Sequence, residues 1–310
     1  MLSYNKVMVN TKKIGKFKTK LPNKGAFTIE TDFDFPKLHT LTIASGRRGG
    51  GKSVAIANFI REARAKDYYD KVYLISPTYK SNKSIWDIAG IQEEDVYEPD
   101  VMSIRKVTKL VESEKEEWEL FLAEKEKFKK YNKDIKDRAV CRVHPEELMA
   151  YLDLGFLDGK VPEWKYKNEV PPRLAVVIDD AMGTELYAKP SAGLTNFCIK
   201  HRHIGDGLGI SVFMLVQSYC ALGGVPRAVR ENTTNLLLFK INDENQIKKV
   251  KEECDLPISD EKWMDITADA HSKPYNFLFV DFAPKCNTKR FRSGFDEYYD
   301  IPELVCDCKI

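Results

Sequence analysis

The chain has 310 residues, 43% hydrophobic and 31% charged, with a formal net charge of +2. That suits a globular protein with a substantial core, and the near-balanced charge excludes a globally basic nucleic-acid binder. No run approaches the roughly 18 apolar residues that a membrane span needs, and the first residues lack the apolar core of a secretion signal, so an intracellular protein is expected. The cysteines, Cys141, Cys198, Cys220, Cys254, Cys286, Cys306 and Cys308, include no C-x-x-C pair. Reduced thiols are expected rather than a disulfide framework or a zinc site.

In chain order, residues 1–37 form a basic arm, with seven lysines and no acid between Lys6 and Lys24. Residues 39–44 predict a buried strand. The next stretch, Gly46-Arg47-Arg48-Gly49-Gly50-Gly51-Lys52-Ser53, satisfies G-x-x-x-x-G-K-[ST], and residues from Val54 onward predict a helix. Strand, glycine loop and helix in this order form a phosphate-binding P-loop. Its backbone N–H groups and the helix N-terminus face phosphate oxygens, Lys52 reaches the β/γ-phosphates, and Ser53 offers a hydroxyl to magnesium. Binding of a nucleoside triphosphate, ATP with Mg2+, is the expectation.

A second strand, residues 71–77, ends at a proline, and residues 78–83 predict a polar loop carrying Lys80 and Lys83. Residues of about 102–137 predict a charged helix standing off the core, more a plain solvated helix than a lever or interface. A short helix over 145–154 and an irregular connection over 156–172 follow. Then five apolar residues, 174–178, run into Asp179 and Asp180. Such a run suits a strand covered on both faces of a parallel sheet, and its acids fall where a magnesium–phosphate complex would sit. Asp179 is assigned to the metal and Asp180 to the attacking water.

Residues 191–200 predict a helix that runs into Lys200-His201-Arg202-His203. Two histidines supply too few ligands for a metal, so surface or interface roles are expected of them. A buried strand over 210–216 is closed by Gln217, a candidate γ-phosphate sensor. A strand over 235–241, a helix over 244–254, a strand over 276–282 and a basic cluster of Lys289, Arg290 and Arg292 complete the pattern. Arg202, Arg227 and Arg230 are candidates for an arginine finger given to a neighbouring subunit, Arg202 first. The fold class expected is α/β, a P-loop NTPase with a mainly parallel sheet flanked by helices. Its ATPase domain spans 38–295, with the helical insertion at about 102–137 and a tail over 296–310.

The P-loop, the Val-Val-Ile-Asp-Asp strand, Lys200 to Gly205, Leu215-Val216-Gln217-Ser218, Arg230-Glu231-Asn232-Thr233 and the strand 276–281 occur in an order that resembles genome-packaging ATPases of the FtsK–HerA lineage. The likeness is to those of virophages, polinton-like viruses and nucleocytoplasmic large DNA viruses, and more distantly to packaging motors of small tailed phages. It covers about residues 38–295. It implies a ring of five or six subunits that hydrolyses ATP and pumps double-stranded DNA into a preformed capsid at its portal vertex. No membrane is involved, and the setting is a viral assembly site, in cytoplasm or viral factory, or the virion. It also implies Asp179 and Asp180 as the Walker B pair, Gln217 as sensor and an arginine near Arg202 as finger. Asp180 departs from the glutamate common in P-loop ATPases, and no nuclease motif accompanies it. Lys80, Lys83, the arm lysines and the 289–292 cluster are candidate DNA contacts, since a motor that moves along any genome grips the backbone. Another DNA motor, such as a helicase or conjugative pump, or a P-loop kinase or nucleotide switch, are the alternatives.

Overall fold

Alternate residues along each central strand belong to two different cores. In Leu174–Asp179, Leu174, Val176 and Ile178 pack into one apolar cluster, while Ala175 and Val177 pack into a second on the opposite face. The period-two geometry of a strand turns an unbroken apolar run into two buried faces only when helices cover both sides. The computed structural model describes residue 29 and residues 31–32, 35–136, 143–220 and 224–306. The lysine-rich part of the arm, Cys141 and Cys308 lie outside the described residues.

The elements are β1 (Leu41–Ser45), α1 (Lys52–Ala65), β2 (Lys71–Ile75), α2 (Tyr79–Ile88), β3 (Val96–Tyr97), α3 (Ser103–Lys136), α4 (Pro145–Asp153), β4 (Leu174–Asp179), α5 (Glu185–Ala188), α6 (Leu194–Lys200), α7 (Ile204–Gly207), β5 (Ser211–Val216), α8 (Arg227–Arg230), β6 (Asn235–Phe239), α9 (Glu244–Cys254), α10 (Asp260–Ala270), β7 (Phe277–Asp281), β8 (Phe291–Ser293) and β9 (Glu297–Tyr298). One nine-stranded sheet has the order β3-β2-β4-β5-β1-β6-β7-β8-β9. The first six strands in that order are parallel, and β7, β8 and β9 add on antiparallel. Helices α1 and α2 cover one face through Ile56, Ala57, Ile60 and Trp86. The other face is covered by Val107 of α3, Phe197 of α6, Val229 of α8, Ile247 of α9 and Trp263 of α10. Each such fully buried aliphatic or aromatic side chain stabilises the fold by about 1.5–3 kcal/mol.

Because β1, β4, β5 and β6 point the same way, their carboxyl ends share one edge. Ala44 and Asp179 both stand level with Leu215, and Ser45 stands level with Val216. β5 therefore separates the P-loop strand from the Asp-Asp strand, and the residue after β5 opens between them.

Two expectations change. Helix α3 is not a plain solvated helix. Its 34 residues, roughly 50 Å long, are clad by the connection the sequence left irregular. Trp164 lies 5.0 Å from Trp118 and 5.1 Å from Phe121, centre to centre. The Tyr166 hydroxyl donates to buried Glu114 at 2.8 Å, and Lys165 pairs with the same carboxylate at 2.9 Å. At the far end Tyr131, Tyr151 and Phe156 form a small core of their own with α4. A Glu/Lys-rich helix conceals this, because one line of aromatic residues suffices to bury one side. The sheet also continues past residue 295, where the tail was expected to begin: β9 pairs with β8, and Ile301 and Leu304 are buried in the main core.

Candidate functional site

The P-loop begins where β1 ends. The Gly46 N–H donates to the Val216 carbonyl at 3.1 Å, which holds the loop entrance against β5. A Cβ at Gly46 would stand 2.5 Å from Cβ of Phe239, so only glycine fits between β1 and β6. Gly51 turns the chain into α1 at φ 94°, a left-handed value that side chains disfavour. Its position as N-cap leaves α1 with no side-chain cap, whereas Asp243 and Ser259 cap α9 and α10 with their own oxygens. The first N–H groups of α1 thus remain available to an anion, at the positive end of the helix dipole. The Lys52 ammonium donates to the carbonyls of Gly46 at 2.6 Å and Arg47 at 3.0 Å, so it lies along the loop that would hold phosphate. Burial lowers its affinity for a proton, against the pull of Asp179 and Asp180.

Two strands away, Asp179 ends β4 with only 4% of its surface exposed. The Ser53 hydroxyl, in the first turn of α1, reaches across β5 and donates to its carboxylate at 3.1 Å. Burial pushes the Asp179 pKa up to about 6; the Ser53 hydrogen bond opposes this and the neighbouring Asp180 charge adds to it. Asp180, the next residue, is exposed and takes a left-handed backbone, φ 51°, which aspartate tolerates better than most. A cleft of about 730 Å³ at this edge is lined by Arg48, the loop from Gly49 to Ser53, Val54, Asp179, Asp180 and Gln217. The sequence had named all of these, and the sheet brings them together. Gly46 and Arg47 take part through the carbonyls that hold Lys52.

Several residues stand elsewhere. Residues 79–83 begin helix α2 rather than a loop, because Thr78 and Ser76 turn the chain straight into it. Lys80 and Lys83 are exposed on its first turns, Lys83 at 3.7 Å from Glu93, while Thr78, Ser81, Asn82 and Ile85 line the cleft. His201 is a core residue, not a surface one. It is 1% exposed, and its ring nitrogens lie 2.7 Å from the Cys198 carbonyl and 3.3 Å from that of His39. Arg202 follows it at the amino edge of the sheet, across the molecule from its own P-loop, with Nε buried and unpartnered among the described residues. Arg230 is engaged within its own chain: 2.7 Å from Glu253, bonded to the Val225 carbonyl and stacked on Tyr219. Arg227 is 84% exposed and pairs with Glu231 at 2.8 Å. The 289–292 cluster is not an open basic patch. Arg292 is 4% exposed between Phe279 and Tyr298, Lys289 lies over Tyr298, and Arg290 turns toward the carbonyls of Asp281 and Phe282.

A glycine loop between a parallel strand and the helix that follows it, with an acid-tipped strand two places away, is the arrangement of a phosphate-binding P-loop. No protein-family model matches the chain, and no curated protein sequence matches it. Among solved structures, EssC (ATPases 2 and 3) from Geobacillus thermodenitrificans aligns at 13% identity and TM-score 0.41, over 79% of this chain and 38% of that one. The pCW3 conjugation coupling protein TcpA, with ATPγS, aligns at 15% identity and TM-score 0.41, over 83% of this chain and 62% of that one. The genome packaging NTPase B204 from Sulfolobus turreted icosahedral virus 2, with ATPγS, aligns at 14% identity and TM-score 0.38, over 79% and 92%. This chain thus spans well under two thirds of the EssC structure and somewhat under two thirds of the TcpA one.

The sequence missed Ile85, Met182 and Tyr275 of the cleft, and the last is the most exposed of the three. Tyr275, just before β7, lines it, 73% exposed. Only the antiparallel direction of β7 brings its start to this edge, and a sequence of alternating strands and helices carries no sign of that reversal.

Proposed function

We propose that the chain is an ATP-hydrolysing motor that moves double-stranded DNA, of the kind that fills viral capsids, working as a ring. The observation that carries the hydrolytic part is the Ser53–Asp179 contact, 3.1 Å, which joins the P-loop to the acid-tipped strand beside Gln217. The order of motifs carries the DNA part.

The donors at that contact are a hydroxyl and a carboxylate, the oxygen set a hard divalent ion takes. A buried carboxylate with a raised pKa is one that a cation would neutralise, so Ser53 and Asp179 fit magnesium. Bound there, magnesium would neutralise phosphate charge. Lys52 and the N–H groups of α1 bind and orient the triphosphate, and Asp180 and Gln217, exposed at the mouth of the cleft, aim the attacking water. Its position on the edge away from its own P-loop supports Arg202 as the arginine given to a neighbour's site. Arg227 is the second choice, and Arg230 is withdrawn by its contacts with Glu253 and Val225. DNA contacts fall to Lys80 and Lys83, both exposed.

The test is ATPase rate with and without duplex DNA, measured alongside mass by light scattering. Stimulation by DNA together with a ring of five or six subunits is expected. A monomer whose slow hydrolysis ignores DNA would point instead to a kinase or nucleotide switch. Mixing Arg202→Ala with Asp180→Asn subunits examines the finger: some activity should return in mixed rings, and none returning would remove Arg202. Charge reversal at Lys80 and Lys83 should abolish DNA stimulation while leaving the basal rate, and full stimulation would remove that surface.

A further inference from the structure

We infer that Tyr275 is the platform on which the base of the bound nucleotide stacks, which makes this a site that grips triphosphate firmly and reads the base weakly. The inference rests on the nucleotide reading above.

Along the carboxyl edge the sheet order places Asp179 after β4, Gln217 after β5, the P-loop after β1, Phe239 at the end of β6 and Tyr275 before β7. Phe277 pairs with Phe239, so the start of the antiparallel strand lies level with the ends of the parallel ones. Ser53 and Asp179 set the β/γ end of a triphosphate on the β4 side of the loop. The nucleoside must then leave on the other side, toward β6 and β7, which are spaced about 4.8 Å apart. Tyr275 stands there against the loop itself. A Cβ at Gly51 would come within 3.3 Å of Tyr275 Cβ and 3.4 Å of its ring.

Two features set this tyrosine apart from a packing residue. It is 73% exposed, the most exposed of the large hydrophobic side chains among the described residues, although it lines the cleft. Its backbone is left-handed, φ 61°, a conformation that a bulky side chain makes unfavourable and that glycine or asparagine would take with less strain. Neither burial nor backbone preference accounts for a ring in that place. A flat partner does. Val54 and Ala55, next to the loop, offer a base no side-chain hydrogen bond. The polar Thr78, Ser81 and Asn82 of the same cleft come from the start of α2, after β2, which β4, β5, β1 and β6 separate from β7. Stacking on a ring tolerates any base, because every base has a π-face.

The experiment is titration of wild type, Tyr275→Ala, Tyr275→Phe and Tyr275→Gly with ATP, GTP and inorganic tripolyphosphate, each with magnesium, beside a melting curve for every variant. Wild type should bind ATP and GTP within a few-fold of each other. Tyr275→Ala and Tyr275→Gly should bind both nucleotides about 5- to 150-fold more weakly and leave tripolyphosphate within twofold, while Tyr275→Phe should keep wild-type affinity. Tyr275→Gly should melt at the same temperature as wild type or higher, since it relaxes the backbone. Unchanged ATP affinity in Tyr275→Ala, or equal losses for ATP and tripolyphosphate, would overturn the platform while the nucleotide site stands. A lowered melting temperature in Tyr275→Gly that tracks its affinity loss would make the residue structural. Wild type binding neither ATP nor tripolyphosphate would sink the nucleotide reading and the platform with it.

Discussion

The two edges of the sheet are built from the same strands and use polar residues in opposite ways. At the amino edge, polar groups are buried and several tie strands together, although both His39 ring nitrogens, Thr40 Oγ1 and Arg202 Nε have no hydrogen-bond partner among the described residues. The Thr40 N–H donates to Ser211 Oγ at 3.2 Å, the Leu41 N–H to Thr234 Oγ1 at 2.9 Å, and His201 spans two carbonyls. His39, 2% exposed, packs so closely on Gly209 that a Cβ there would stand 2.6 Å from its ring. At the carboxyl edge, Asp180, Gln217 and Arg48 are exposed, α1 has an uncapped N-terminus, and the backbone takes left-handed turns at Gly49, Gly51, Asp180 and Tyr275. The first edge spends its polar atoms on holding strands together. The second leaves them open to solvent around a cleft. A parallel sheet makes such a division natural, since the loops at its carboxyl ends converge between helix N-termini.

That contrast can be broken by experiment, and the largest effects belong to the carboxyl edge. Lys52→Ala should lower ATP turnover by at least about 100- to 1000-fold with little change in melting temperature. A large loss of stability would mean that its bonds to Gly46 and Arg47 hold the loop rather than await phosphate. Asp180→Asn should bind ATP as wild type does and lose a similar factor in rate, read by equilibrium binding beside steady-state hydrolysis; normal turnover would take it off the catalytic list.

Changes to the buried histidines of the amino edge should do the reverse. His201→Ala should lower stability by about 2–4 kcal/mol, measured by denaturant unfolding, with turnover per folded molecule unchanged. His39 supplies a pH signature. Burial first, then the charge of His201, and more weakly those of Arg173 and Arg202, lower its pKa to about 4 from the ordinary 6.5. The unfolded chain takes up the proton at higher pH than the folded chain does. Stability is therefore full above about pH 6.5 and falls as pH drops toward 4, by about 3 kcal/mol. His39→Gln should flatten that slope, and an unchanged slope would place the acid sensitivity elsewhere. The smallest effect expected is Gly46→Ala, about 1–3 kcal/mol of stability, because its methyl meets Phe239 across β1 and β6. Replacing Phe239 with leucine in the same chain should not restore it, since the clash is with Cβ.

Much of the carboxyl edge was legible because its chemistry is local. Gly46 to Ser53 is one continuous loop whose spacing is set by the size of a phosphate, and an apolar run ending in Asp179-Asp180 states both burial and charge in one strand. The amino edge was hardly legible. Histidine beside arginine looks like a surface in sequence, and only the packing of α6 under β1 makes His201 a core residue. Lys80 was placed on a loop because a proline had just closed β2, with nothing nearby to announce that a helix restarts at Tyr79. Arg292 was offered to DNA because charge is visible in a sequence and the covering rings of Phe279 and Tyr298 are not.

By itself, then, the sequence determined what each strand ends in: glycines and a lysine after β1, two acids after β4, a glutamine after β5. Those endings depend on neighbours one or two residues away. Which endings meet was decided by the sheet. The order β4-β5-β1-β6-β7 sets Asp179 within reach of Ser53, with Gln217 between them, and the reversal of β7 carries Tyr275 to the same edge. Strand order and direction come from the burial of two apolar faces by helices far apart in the chain, and no local pattern of residues records that choice.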